Sequence, residues 1–222
     1  MRIRCKPWAK PELQACPFYV EPPQAQRGKW RQQFARPEQP LYLELGCGKG
    51  GWISQAVVQY PDVNLIAVDI KNEMLVLAKR KVEAALEAAN RPADSVRLAI
   101  RNIMQIADTF APEDRIDRIY INFCNPWPKS QHKKRRLTHT RQLLQYKAFL
   151  NGEIWFKTDD DPLFAESRAY FLEAGFRIRY ETTDLQASGF PDNLLTEHEQ
   201  MFLAEGKKIK FLIAVSESET GD

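Results

Sequence analysis

Histidine is scarce in this chain, three in 222 residues, and cysteine is nearly as rare, with four. Cys5, Cys16, Cys47 and Cys124 show no C-x-x-C spacing, and with so few histidines there is no zinc pattern to read. Reduced thiols in a cytosolic compartment are the plain reading. Long apolar runs are missing as well: no stretch approaches the ~18 residues needed to cross a bilayer, and the opening MRIRCKPWAK lacks the apolar stretch of a signal peptide. The expectation is therefore a cytoplasmic protein with no metal and no membrane contact. No protein partner is evident, and nothing in the residues specifies an oligomeric state. A large charge excess of one sign is also absent, since 32 basic residues against 29 acidic leave +3, a value that says little about nucleic acid until the charges are placed.

Their placement is uneven. Five of the eight residues from Lys129 to Arg136 are Lys or Arg, whereas the tail SESETGD is acidic and reads as disordered over 216–222. Residues 1–40 hold seven of the fourteen prolines and no sustained period, which predicts an irregular arm with short elements rather than a packed unit. From Leu41 short apolar runs alternate with amphipathic segments: LYLEL, GWISQAVVQY, VNLIAVDI, NEMLVLAKRKVEAALEAAN, VRLAI, IMQIADTF, RIYINF. Strand–helix alternation calls for a mostly parallel sheet with helices on both faces. A helix near Thr138–Leu150, a strand at GEIWFKT, a helix from about Pro162 to Ala174 and a closing antiparallel pair, FRIRYETT with KIKFLIAV, complete a single domain over 41–215.

The first strand runs into Glu44-Leu45-Gly46-Cys47-Gly48-Lys49-Gly50-Gly51 and then a helix, so the backbone can turn tightly and approach a ligand with the helix amides facing it. Gly46, Gly48 and Gly51 satisfy G-x-G-x-x-G, and Asp69 ends the next strand where an acid can bind ribose hydroxyls. That string alone does not separate NAD from S-adenosyl-L-methionine. Glu44 tips the balance, because a carboxylate there sits poorly beside a pyrophosphate and well beside a cofactor with an amino acid group and a sulfonium cation. Asn102, after the third strand, can hydrogen-bond an adenine edge or cap the helix at IMQIADTF.

The fourth strand ends in INFCNPWPK, and beyond the carboxyl ends of parallel strands binding groups collect, which puts Asn125 beside the cofactor's methyl. Pro-Trp-Pro fixes the backbone direction; Trp127 offers a face to an extruded base or packs on the core. The cations that follow directly suit phosphates, which a small substrate would hardly need.

ELGCGKG, NFCNPWPK-x-x-HKKRRLT, FKTD and TEHE together resemble the bacterial tRNA (guanine-N7-)-methyltransferase family of the TrmB type, over roughly Leu41 to Val215. The resemblance implies a class I Rossmann-like α/β methyltransferase: a mostly parallel seven-stranded sheet with an antiparallel edge pair. It implies methyl transfer from S-adenosylmethionine, with S-adenosylhomocysteine as product, to N7 of a guanine in the tRNA variable loop. The positions matching Glu44, Asp69, Asn102 and Asn125 would line the cofactor pocket. Those matching Lys129, Asp159, Thr196, Glu197, His198 and Glu199 would bind the target nucleotide, and Gln131, His132, Lys133, Lys134, Arg135 and Arg136 would contact RNA. Local structure also accounts for several: Asp159 can cap a helix, and Thr196 with Glu199 matches a capping box.

One departure is Asn125, where the family usually has Asp as its catalytic candidate. Guanine N7 has a free lone pair, so its methylation removes no proton and needs no general base. An amide is tolerable on that argument, with Asp159, Glu197 and Glu199 as sources of negative charge and as acceptors for the guanine N1 and N2 hydrogens. Two other readings stand beside an active methyltransferase. A non-catalytic RNA-binding module retaining the cofactor pocket is kept open by Asn125. An NAD-dependent oxidoreductase would need a His, Tyr or Lys at a nicotinamide, yet the histidines lie at or near the basic run or within TEHE.

Overall fold

Alternation along each strand sends successive side chains to opposite faces, and here both faces are apolar, as a sheet covered on both sides requires. A computed structural model describes residues 6–216. Its elements are α1 (Ala9–Gln14), β1 (Tyr19–Val20), β2 (Leu41–Leu45), α2 (Ile53–Gln59), β3 (Asn64–Asp69), α3 (Asn72–Ala88), β4 (Val96–Ile100), β5 (Ile116–Asn122), α4 (Thr140–Lys147), β6 (Leu150–Thr158), α5 (Asp161–Glu173), β7 (Phe176–Thr182), α6 (Glu197–Ala204) and β8 (Lys210–Ser216). The strands form one sheet in the order β1-β4-β3-β2-β5-β6-β8-β7, parallel as far as β6 and antiparallel where β8 meets β6 and β7.

Two half-cores result. Leu43, Leu45, Val68, Ile119, Ile121 and Phe156 face α4 and α5, meeting Leu143, Tyr146, Leu163 and Phe171. Leu65, Ala67, Tyr120, Trp155 and Phe211 face the other way onto Ile53 and Val57 of α2, Leu75 and Val82 of α3, and Leu13 of α1. β2 lies between β3 and β5, so the chain order reverses there and a crevice opens beyond the carboxyl ends of these strands. At the far edge, β7 alternates Phe176, Ile178 and Tyr180 inward with exposed Arg177, Arg179 and Glu181 outward.

Three expectations need correction. The sheet has eight strands rather than seven, because Tyr19 and Val20 of the arm pair in parallel with Leu98 and Ala99 of β4. The arm is also packed: Leu13, Phe18, Trp30 and Phe34 are buried. Prolines break its periodicity, so the burial cannot be read from spacing; side chains grip backbone instead of helix or strand periods doing so. Asp114, buried ahead of β5, accepts the N–H groups of Gly28 at 2.9 Å, Trp30 at 2.9 Å and Ala111 at 2.8 Å. Arg31 donates to the carbonyls of Gln39 (2.8 Å), Asp114 (3.0 Å) and Arg115 (2.7 Å). Finally, IMQIADTF forms a 3-10 segment over Ile103–Asp108, interrupted at Gln105, rather than a regular helix. The acidic tail lies outside the described residues, except that Ser216 closes β8.

Asp114 is the hinge of the arm's attachment. Asp114→Ala leaves three N–H groups without their acceptor, and denaturant unfolding is expected to show a loss of about 2–4 kcal/mol. Limited proteolysis of the variant should cut first within 20–40.

Candidate active site

The turn out of β2 is held from β3. The N–H groups of Gly46 and Cys47 both reach the Val68 carbonyl, and Gly48 N–H donates to Asp69 Oδ2 at 2.9 Å. Asp69 Oδ1 accepts the Lys71 N–H at 3.0 Å, so this acid ties the glycine loop to the start of α3. Burial raises the Asp69 carboxyl above its usual range, against those N–H groups. Gly50, not Gly51, is the glycine that packing demands: it has φ of +78°, and a Cβ would lie 2.6 Å from the Ala78 backbone of α3.

Beyond the loop lies a cavity of about 250 Å³, walled by Glu44, Gly46, Gly48, Trp52, Met74, Asn122, Phe123 and, across from them, Thr196, Glu197 and His198. Glu44 is 3% exposed. Its Oε1 accepts from Asn122 Nδ2 at 3.2 Å, while among the described residues neither Oε2 nor Asn122 Oδ1 has a hydrogen-bond partner. Burial pushes the Glu44 carboxyl up to about 8, partly opposed by the Asn122 bond and the charge of Lys157. A buried carboxyl with an unpartnered oxygen beside a cavity suits a cation with N–H donors.

Asn122 was not anticipated. The signal was one polar residue ending the run Ile119-Tyr120-Ile121, two positions after Tyr120 and so on the same face. Asn125, three residues on, is exposed and does not line this cavity; its Oδ1 accepts the Trp127 N–H at 3.0 Å. The loop around it is strained, with Phe123 at φ +51° and Trp127 at φ +43°, a region non-glycine residues rarely enter. Trp127 does not join the core: Arg135 sits 5.3 Å over its ring and His132 meets its edge at 5.8 Å. Asn102 is exposed and caps the 3-10 segment, accepting the Met104 N–H at 3.1 Å.

The basic run divides in two. Lys129, Gln131, Lys134 and Arg135 are exposed, with the segment Ser130–Arg135 forming a 3-10 turn. Arg136 is 2% exposed, donating to the Pro126 carbonyl at 2.7 Å and to Glu166 at 2.8 Å; Lys133 joins it on Glu166 at 2.7 Å. Arg136 therefore clamps the Asn125 loop to α5 and is not presented to a polyanion, because a charge run read along the chain does not reveal which member turns inward.

TEHE also resolves into separate tasks. Thr196 caps α6 through the Glu199 N–H at 3.2 Å, which is one half of the expected capping box, the Glu199 carboxylate turning to Lys157 and Asn193 instead of back to Thr196. Glu197 is exposed and paired with Lys81 at 2.6 Å. His198 lies over Phe123, ring centroids 6.4 Å apart and 22° from parallel. Glu199 is 1% exposed and fully engaged: Lys157 Nζ reaches Oε2 at 2.9 Å and Asn193 Nδ2 reaches Oε1 at 2.6 Å. Breaking such a buried pair costs on the order of 3–5 kcal/mol, whereas replacing both partners by apolar groups is often neutral. Glu199 is thus buried within its own pair, with both oxygens already accepting a bond. Asp159 keeps a quarter of its side chain exposed, with Lys207 at 3.8 Å.

A wider depression of about 650 Å³ opens at the opposite end of the strands, among Tyr42, Arg118, Glu153 and Arg179. Its charges serve one another, Glu153 joining Arg118 at 2.8 Å and Arg179 at 2.6 Å, so the chemistry belongs to the smaller cavity.

Residues 38–212 match the family model described as "Putative methyltransferase". The chain is 56% identical over 220 residues to the tRNA (guanine-N(7)-)-methyltransferase of Clostridium beijerinckii, covering 98% of this chain and 100% of the relative. It is 54% identical to the protein of the same name from Acetivibrio thermocellus, covering 96% of this chain and 99% of that one. Among solved structures, an antibiotic-related methyltransferase aligns with a TM-score of 0.57 at 17% identity, over 89% of this chain and 95% of that one. The 16S rRNA methyltransferase KamB aligns at 0.57 and 12% identity, over 84% and 90%. Those two likenesses concern the fold, which is the Rossmann-like one of S-adenosylmethionine-dependent methyltransferases. Sharing more than half its residues with the curated relatives along their whole length, the chain belongs to the tRNA (guanine-N7-)-methyltransferase family.

Proposed function

We propose that this protein transfers a methyl group from S-adenosylmethionine to N7 of a guanine in the variable loop of tRNA. The observation that carries the reading is Glu44, a buried carboxyl with one unpartnered oxygen, among the residues that wall the glycine-loop cavity. A pyrophosphate there would add anion to anion, whereas an ammonium and a sulfonium supply what the wall lacks. The residues present fit the cofactor: Glu44 and Asn122 would hold its amino acid part, Asp69 its ribose, and Asn102 its adenine edge. Both Asp69 oxygens already accept one N–H each, and each keeps a second lone pair. When bound, the cofactor supplies a methyl carbon made electrophilic by positive sulfur.

What remains for the protein is orientation and charge. No group has to remove a proton, because N7 attacks with its own lone pair. Asn125 then acts by position: its Oδ1 is spent on the Trp127 N–H, which leaves the amide hydrogens to donate. The methylated ring is cationic, and the acids that would favour it are Glu197, on the cavity wall and paired with Lys81, and Asp159, a quarter exposed with Lys207 at 3.8 Å. Lys129, Lys134 and Arg135 face solvent where a phosphate backbone can reach them. An RNA-binding module without turnover is the second reading, and Asn125 alone favours it.

Tritiated methyl from S-adenosylmethionine is expected to enter unmodified tRNA, with chemical cleavage at 7-methylguanine marking one variable-loop position; binding of both ligands without incorporation would establish the second reading. Arg135→Ala should raise KM for tRNA and lower the salt slope of binding by about one, at unchanged Tm. Arg136→Ala should instead destabilise the fold by about 2–4 kcal/mol, as loss of buried charge-assisted bonds does. The Glu44 carboxyl, raised from 4.5 to about 8, favours the folded state below pH 4.5 and loses that advantage as pH rises through 8. Glu44→Gln should therefore gain stability relative to the wild type between pH 5 and 8.5, in urea titrations, while losing cofactor binding. Calorimetry at pH 7 in buffers of different ionisation enthalpy should detect proton release on cofactor binding by the wild type.

A further inference from the structure

The last same-face residues of three neighbouring strands, Glu44, Asn122 and Lys157, are all polar, and the first two wall the cavity. In the sheet register Glu44 of β2 stands opposite Tyr120 of β5, and Asn122 of β5 stands opposite Lys157 of β6. By that register Glu44 lies level with Tyr120 and Trp155, one same-face step below Asn122 and Lys157, and the Asn122 side chain bridges the two levels by donating to Glu44. Asn122 donates to Glu44, and Lys157, 4% exposed, spends its three hydrogens on Asn193 Oδ1 at 2.8 Å, Glu199 Oε2 at 2.9 Å and the Leu194 carbonyl at 3.2 Å. Those three acceptors bracket Thr196, the cap of α6, and the first turn of α6 supplies the opposite wall of the cavity.

A buried lysine is an expensive way to close a sheet edge, since an apolar pair of the same volume stabilises as well or better. The position of this one explains its charge. We propose that Lys157 is a positioning residue for the cofactor cavity, with a single ammonium serving both walls: the start of α6 on one side and Glu44 on the other. The groups that face Glu44 are Asn122 on β5, Lys157 on β6, Asp69 at the end of β3, Cys47 in the glycine loop and the Ile53 N–H of α2. Lys157 favours the ionised carboxylate, whereas Asp69 opposes it. Glu199 competes for the same ammonium from the other side, so the two carboxylates are linked: what strengthens one claim on Lys157 weakens the other.

This inference rests on the reading of Glu44 as the acceptor for the cofactor's cationic end. It is tested by calorimetric titration of the full-length protein with S-adenosylhomocysteine across pH 6–9.5, recording the midpoint of proton release in wild type, Glu199→Gln, Lys157→Met/Glu199→Gln and Lys157→Arg. Glu199→Gln frees Lys157 for Glu44 and should move the midpoint down. The double variant, which leaves no unpaired buried charge, should move it up by about one unit, with affinity at pH 7.5 reduced about tenfold. Lys157→Arg, which keeps the charge, should remain near the wild-type midpoint. A purely structural pair would shift Glu199→Gln and the double variant in the same direction or not at all, and that result overturns the proposal even if the double variant fails to fold, because Glu199→Gln alone must move down. A wild type that binds no S-adenosylhomocysteine overturns the cofactor reading itself.

Discussion

Burying Glu44 with one of its oxygens bare is the constraint around which the upper edge of the sheet is arranged. A carboxylate withdrawn from water into an apolar setting is costly as an anion, and the fold lowers that cost only in part, with one amide from Asn122, the charge of Lys157 beyond it and the Ile53 N–H. Everything near it is placed with respect to that deficit. The glycine loop clears space on one side, Asp69 holds the loop by its N–H groups rather than reaching into the deficit, and α6 closes the other side without bringing a cation of its own to the carboxylate. A surface that is incomplete in one specific way recognises what completes it, which is preorganisation in its electrostatic form.

The parts of this arrangement legible in the sequence are those where local pattern and tertiary role coincide. LYLEL, VNLIAVD and RIYIN read as strands because both faces are buried, and the glycine loop reads as a loop because only glycine tolerates its backbone. Thr196 as a cap is a local event and was readable as one. The illegible parts depend on contacts between distant segments. Nothing in KKRR distinguishes Arg136, which turns inward to Glu166, from Arg135, which stays over Trp127. Nothing in TEHE marks Glu199 as the partner of a lysine 42 residues earlier. The arm misled for a related reason: Pro-rich chain without periodicity reads as loose, yet Trp30 is buried because Asp114 and Arg31 supply by side chain the bonds that a regular element would supply by backbone.

Strain is concentrated where substrate chemistry is proposed. Phe123 and Trp127 both adopt left-handed backbone within five residues, and the clamp of Arg136 on the Pro126 carbonyl holds them there. Each such residue costs of the order of 1–3 kcal/mol, which the loop alone could not sustain. Anchoring by a buried guanidinium makes the basic run part of the scaffold at one end and leaves it exposed to solvent at the other.

The two borders of the sheet carry a consequence for how copies of this chain behave at high concentration. On one border only two residues of β1 are available, too short a template for another strand to extend. On the other, β7 presents Arg177, Arg179 and Glu181 outward along its length, so an incoming strand would have to bring its backbone into register with a row of solvated charges. Growth of the sheet from molecule to molecule is thereby discouraged at both ends, by brevity in the first strand and by charge in the seventh.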